Sequence, residues 1–198
     1  MQAKPLDARE AVLDSAVKVF ARRGYAGTSV QDILQATGLS KPTVYYYFEN
    51  KAGLYRAILA FAYDESFRLM QAGLTKAKTC EQRLIEAAAA LFEFASRHQN
   101  LTRLVFATVF AAPEEIPPDS IDPVKRRRNF ELVLGIVRAG QKMGELHAGY
   151  DAVELAHGIF GAISHQIRTH LIHPEAPLDR PRAERVVALF CNGARKRR

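Results

Sequence analysis

The chain has 198 residues, 48% of them hydrophobic and 25% charged, with a formal net charge of +7 at pH 7. That length suits one or two small domains with a packed core. No apolar run reaches the length of a membrane span, and the polar start Met1-Gln-Ala-Lys-Pro is unlike a signal peptide. The only cysteines, Cys80 and Cys191, are far apart and suggest neither a disulfide framework nor a Cys-rich metal site. The expectation is a soluble cytoplasmic protein with no cofactor and no metal.

From the start of the chain, Asp7-Ala-Arg-Glu10 reads as a capping-box-like helix start. Val12, Ala16, Val19 and Phe20 then hold one helical face until Arg22, Arg23 and Gly24 end it. Thr28-Ser29-Val30-Gln31 reads as a second capping box, with Val30, Ile33 and Leu34 as its apolar face and Gly38 as its stop. Ser40 caps a third helix, and Pro42 is tolerated in the first turn because its missing N–H would be unpaired there anyway. Val44 and Phe48, four apart, suit a core, while Thr43, Tyr46 and Tyr47 point elsewhere. Three adjacent tyrosines cannot all be buried. Two short helices around a Gly-containing turn, the second polar outward, match a DNA-reading helix-turn-helix.

Asn50 caps a long fourth helix whose stripe of Leu54, Ile58, Phe61 and Leu69 runs towards Gly73. Glu81 to Arg97 carries Leu84, Ala88, Leu91 and Ala95 on one face, and Leu101 to Ala112 holds Val105, Phe106, Val109 and Phe110. Pro113, Pro117, Pro118 and Pro123 then mark an exposed connector. Periodicity returns from Val124 to about Met143 and stops at Gly144, after which Asp151 and Glu154 start a further helix. In that helix Val153, Ala156, Phe160, Ile163 and Ile167 alternate in steps of three and four, and Gly158, Gly161 and Ala162 allow close approach. The last helix adds Val186, Val187, Leu189 and Phe190. These two helices fit half of a four-helix interface with a second copy, or burial within one subunit. The expected interface set is Val153, Ala156, Phe160, Ile163, Ile167, Val186, Val187 and Phe190.

Charge is unevenly placed. Residues 1–56 hold eight Lys/Arg against five Asp/Glu, while Lys125–Arg128 and Arg195–Arg198 are wholly basic runs. Part of the positive balance thus sits with the helix-turn-helix, as nucleic-acid binding requires. The Lys125–Arg128 run reads as a solvated helix start, although cations at a helix N-terminus oppose its dipole.

Residues 8 to about 60 resemble the N-terminal domain of the TetR/AcrR family of transcriptional regulators. The likeness lies in Phe20-Ala-Arg-Arg-Gly-Tyr-Ala-Gly-Thr-Ser-Val-Gln-Asp-Ile and Gly38-Leu-Ser-Lys-Pro-Thr-Val-Tyr-Tyr-Tyr-Phe-Glu-Asn-Lys-Ala-Gly-Leu. The resemblance implies an all-α fold of about nine helices. A helix-turn-helix DNA-binding domain over residues 1–56 is joined by a long helix to an effector-binding and dimerisation domain over residues 57–198. It implies that Thr28 touches a phosphate, that Lys41, Pro42 and Thr43 meet bases, that Tyr45 and Tyr47 contact the backbone, and that Lys51 binds phosphate. The DNA-facing set is then Thr28, Ser29, Ser40, Lys41, Pro42, Thr43, Tyr45, Tyr46, Tyr47 and Lys51. For Tyr45, partial burial against the first helix is the alternative.

The family's C-terminal domain also implies that Phe67, Phe94, Phe106, Phe110 and Phe160 line a ligand cavity, although aromatics at helical spacing are more often simple core. His157, His165, His170 and His173 lack the Cys or carboxylate partners of a metal site. No Gly-rich phosphate loop or recognisable triad points to an enzyme. The expected partners are a double-stranded DNA operator, a small-molecule effector and a second copy of the chain, with no membrane; the expected function is a ligand-responsive repressor. A non-specific architectural DNA-binding protein and a helical enzyme are the alternatives.

Overall fold

The computed structural model describes residues 5–194. They form α1 (Pro5–Arg23), α2 (Val30–Thr37), α3 (Lys41–Phe48), α4 (Lys51–Leu74), α5 (Cys80–Arg97), α6 (Gln99–Phe110), α7 (Pro123–Lys142), α8 (Ala152–Ile172) and α9 (Arg180–Ala194), with a short 3-10 turn at Pro113–Glu115. No strand occurs among the described residues, so the fold is all-α as expected. The basic run Arg195–Arg198 lies outside the described residues.

Several helix boundaries follow their sequence signals and some do not. Ser40 caps α3, Asp151 caps α8 by accepting from the Val153 and Glu154 amides, and the Asn50 side chain accepts from Gly53 N–H at 2.8 Å at the start of α4. Asp7 is not a cap, because α1 already begins at Pro5, which is at home in a first turn. The second capping box is shifted by one position: Ser29, not Thr28, is the N-cap, and Asp32, not Gln31, closes the box. The proline-rich connector is only partly exposed, with Pro117 and Ser120 buried.

The chain divides into two compact units. One comprises the chain up to Ala62 together with His98–Asp122, and the other Tyr63–Arg97 with the chain from Pro123 onward. In the first, Val12, Ala16 and Phe20 of α1, Ile33 of α2, Val44 and Phe48 of α3, and Leu54 and Ile58 of α4 are buried. Each large side chain removed from water in this way contributes about 1.5–3 kcal/mol. Helix α6 packs on α1 in this unit. Tyr55 sits edge-on to Phe20 and Tyr25, both at 5.1 Å between centroids, and its hydroxyl shares a 2.7 Å hydrogen bond with Thr108. Burial raises its pKa above the ordinary tyrosine value.

In the second unit α5 packs on α9 and α7, and α8 on α7 and α9. Leu84, Ala88 and Phe92 of α5, Val133 and Val137 of α7, Ile159 and Ile163 of α8, and Val187 of α9 are buried. Four residues of the expected dimer set, Ala156, Ile163, Ile167 and Val187, thus belong to this unit's own core. A helix with one inward apolar face gives the same three-four spacing whether a neighbour helix or a second copy covers it. The Cys80 thiol, pushed up to about 12 chiefly by burial, fits here because residue 140 is glycine: a Cβ there would lie 2.5 Å from its sulfur.

The basic start of α7 is not simply solvated. Lys125 and Arg128 both pair with Asp64 of α4, the latter at 2.8 Å. The Arg128 guanidinium also stacks 4.1 Å from the Phe67 ring centroid. Asn129 donates to the Tyr63 carbonyl at 3.1 Å and to Ser66 Oγ at 2.9 Å. Burial pushes the Asp64 carboxyl up, but the hydrogen bonds and charges of Lys125 and Arg128 outweigh it and leave the group below its ordinary pKa. This carboxylate offsets the unfavourable placement of cations at the positive end of a helix.

Candidate nucleic-acid interface

The reading head is built from two short helices whose ends are fixed by side chains. In α2 the Ser29 hydroxyl accepts from Asp32 N–H, and Asp32 Oδ2 accepts from Ser29 N–H at 2.8 Å and from its hydroxyl at 2.7 Å. Arg23 at the end of α1 donates to the other oxygen, Oδ1, at 2.5 Å. Hydrogen bonds from Ser29, side chain then backbone, and from Arg23 hold the Asp32 carboxyl at about 2. Gly38 ends α2 with φ of 68°, a left-handed conformation that glycine adopts without a Cβ penalty, and its N–H reaches the Leu34 carbonyl.

Helix α3 follows at once. Ser40 Oγ accepts from Thr43 N–H at 3.4 Å and shares a 2.8 Å hydrogen bond with Thr43 Oγ1. Val44 and Phe48 turn inward. Lys41 and Pro42 are exposed, Thr43, Tyr45 and Tyr47 half-buried, and Tyr46 is 83% exposed. The Lys41 ammonium lies 5.4 Å from the Tyr45 ring centroid, and Tyr46 packs edge-on against Tyr47 at 5.1 Å. One face of α3 therefore offers an ammonium, hydroxyls and a phenol ring to water, the groups that meet phosphate oxygens and base edges.

A tight turn connects α3 to α4. Glu49 has φ of 62° and Asn50 N–H donates to the Phe48 carbonyl at 2.6 Å, a three-residue turn of the positive-φ kind that is rare for a residue with a side chain. Gly53 completes it, since a Cβ there would fall on the Phe48 carbonyl oxygen. The sequence signature contains both residues, but their roles become visible only with the backbone.

Thr28 and Lys51, both expected at phosphate, are placed otherwise. Thr28 is 1% exposed, and its hydroxyl donates to the Gly24 carbonyl at 2.7 Å. Lys51 Nζ donates to the Tyr25 carbonyl at 3.0 Å and the Thr28 carbonyl at 2.8 Å, and sits 4.1 Å from the Tyr25 ring centroid. Burial draws its pKa below the ordinary lysine value. Lys51 fastens the α1–α2 turn to the first residue of α4. Tyr25, which sequence reasoning passes over, is the hub of this arrangement; its signal is an aromatic beside a glycine.

The remaining candidates scatter. Phe106 and Phe110 belong to the first unit, and Phe110 is 74% exposed; Phe67, Phe94 and Phe160 belong to the second, Phe94 buried and Phe160 near Phe130 with centroids 6.3 Å apart. His157 stacks on Phe130 at 4.4 Å, and buried His170 donates through Nδ1 to the Ala176 carbonyl at 2.7 Å. Among the described residues no group of three or more His, Cys, Asp or Glu is placed to hold a metal ion. No helix of the described residues is long and apolar enough to cross a membrane.

Two capped helices braced by α1, with Lys41, Thr43 and Tyr46 turned outward from the second, define a helix-turn-helix DNA-binding protein. Residues 12–58 match the family profile described as bacterial regulatory proteins, tetR family. Residues 12–58 are therefore a TetR-family N-terminal domain. It is 42% identical over 82 residues to the HTH-type transcriptional repressor ComR of Escherichia coli (strain K12), a match covering 41% of this chain and 37% of that protein. The chain thus aligns with little more than a third of ComR. Among solved structures, the TetR family regulator PfmR from Thermus thermophilus shares the fold with a TM-score of 0.75 at 24% identity, over 93% of this chain and 99% of that one. FadR from Bacillus subtilis, solved in complex with stearoyl-CoA, superposes with a TM-score of 0.73 at 21% identity, over 93% and 98% of the two chains.

Proposed function

We propose that the chain is a ligand-responsive transcriptional repressor that binds a palindromic operator as a homodimer and leaves it when a small-molecule effector binds. The observation that carries this reading is α3 itself, capped by Ser40, anchored by Val44 and Phe48, and presenting Lys41, Thr43 and Tyr46 to solvent. A helix of eight residues reads too few base pairs to select a site alone. Two copies entering successive major grooves about 34–36 Å apart supply the missing specificity. In this reading residues 1–56 form the DNA-binding domain and residues 57–198 hold the effector and the partner copy. The dimer face is the outer side of α8 and α9, where Val153 and Leu189 are exposed. The effector acts only through its different affinity for the DNA-bound and released arrangements.

The test is a selection of bound sites from random duplexes, followed by anisotropy titrations in rising salt. Enrichment of an inverted repeat, with affinity at least about a thousandfold above random duplex, supports the repressor reading. Steeply salt-dependent binding without enrichment rejects it in favour of architectural DNA binding.

A further inference from the structure

The second unit brings both cysteines of the chain to one place. Cys80 opens α5 and Cys191 lies in α9, the two helices pack on each other, and both residues line a cavity of about 180 Å³ together with Glu81, Glu145 and Leu146. Both thiols are free and buried, at 4% and 3% exposure, whereas the two glutamates are half-buried. Soft sulfur donors thus lie inside and carboxylates on the side that water reaches. The Cys80 thiol donates to the Ile136 carbonyl at 3.6 Å, and its backbone N–H donates to Glu145 Oε2 at 2.8 Å, which ties the start of α5 to the segment after α7. The room at this sulfur depends on Gly140, where a Cβ would collide with it. Neither thiol serves the reading head or the proposed dimer face.

Thiolates are soft donors and select soft cations. Zinc sites take three or four protein ligands, and among the described residues no group of three or more His, Cys, Asp or Glu is so placed. Two sulfurs suit an ion that coordinates in a line, and the cuprous ion does so. We infer that Cys80 and Cys191 form a two-sulfur site for a cuprous ion, Cu(I). Binding breaks both S–H bonds: the two protons pass to water, and each sulfur shares the electron pair it keeps with the metal. Copper stays Cu(I) throughout, so the step needs no oxidant or reductant. The complex carries one net negative charge, which falls at the first residue of α5, the positive end of that helix dipole. Burial pushes the Cys80 thiol up to about 12, so the metal displaces protons and its affinity rises with pH.

The experiment is anaerobic titration of the full, reduced chain with Cu(I) held by bicinchoninate, a chelator that competes for the ion. The expected result is one Cu(I) withdrawn per chain, with apparent affinity rising by about a hundredfold per pH unit because two protons leave. Cys80→Ala and Cys191→Ala should each abolish the withdrawal, with circular dichroism confirming that the variants fold. X-ray absorption of the copper-loaded wild type needs no variant, and should show two sulfur neighbours and no nitrogen or oxygen neighbour. Zn(II) added in equal amount should not displace the copper. Failure to withdraw Cu(I), withdrawal that survives either substitution in a folded variant, or copper with nitrogen or oxygen neighbours overturns the site; so does displacement by Zn(II). The site does not depend on the proposed function: a chain that takes Cu(I) here and binds no duplex keeps the site and loses the repressor reading.

Discussion

Replacing Lys51 with methionine separates two roles that the same residue cannot play equally. The stem is kept and the ammonium is lost, together with its bonds to the Tyr25 and Thr28 carbonyls and its place over the Tyr25 ring. Hydrogen bonds from a charged donor contribute about 1.5–3 kcal/mol each. The ring contact adds about 0.5–1 kcal/mol. Against this stands the cost of drawing an ammonium out of water, which is also what lowers its pKa. The net loss is about 2 kcal/mol, which for a chain of this size moves the melting temperature by about 4–8 °C. Thermal unfolding followed by far-ultraviolet circular dichroism measures it. The same variant on duplex DNA should bind more weakly, yet keep the wild-type slope of log affinity against log salt, because no phosphate contact has been removed. Were Lys51 a phosphate ligand, the slope would fall by about 0.9. An unchanged melting temperature with that reduced slope would refute the fastening role.

Other expected outcomes follow from the same geometry. The Asp32 carboxyl should titrate near pH 2 by NMR. Since its folded pKa lies below the ordinary value of about 3.9, its contribution to the α2 start is complete above about pH 4 and lost as pH falls through about 2. A midpoint at the ordinary value would mean that the box with Ser29 and Arg23 does not hold in solution. Tyr46→Ala should leave the melting temperature within about 1 °C, as exposed positions do. It should still weaken duplex binding about tenfold, and a loss of stability without loss of affinity would remove Tyr46 from the interface. Leu189, 78% exposed on α9, tests the dimer face: Leu189→Glu should sediment as a monomer where the wild type sediments as a dimer. A dimer that survives the charge places the seam elsewhere.

The sequence discloses structure where the deciding interaction is local. Ser40, Asn50 and Asp151 cap helices because each accepts from amides within the next three residues, and that spacing is written in the chain. Thr28 and Ser29 are both good caps, and the choice between them is not local: Thr28 is taken by Gly24 and covered over, which leaves Ser29 the position. Lys51 is placed at phosphate only by the family resemblance, and its carbonyl acceptors, 23 and 26 positions away, lie beyond any local pattern. The α8 pattern is legible as an apolar face but not as to what covers it, since Ala156, Ile163 and Ile167 would recur at the same interval beneath a neighbouring helix or a second copy. Phe67 reads as cavity lining, and the structure gives its ring to Arg128.

The basic turn at the start of α7 bears on the order in which the chain assembles. Two of its four successive cations are held by a carboxylate 61 and 64 positions earlier, so the turn lacks its counter-charge until a long loop has closed. Winding of α7 should therefore begin in its apolar middle, around Val133 and Val137, and reach Lys125 late. Contacts made after the rate-limiting barrier govern escape rather than entry. The Asp64 latch is thus a determinant of how long the second unit stays folded, and hardly of how fast it gets there.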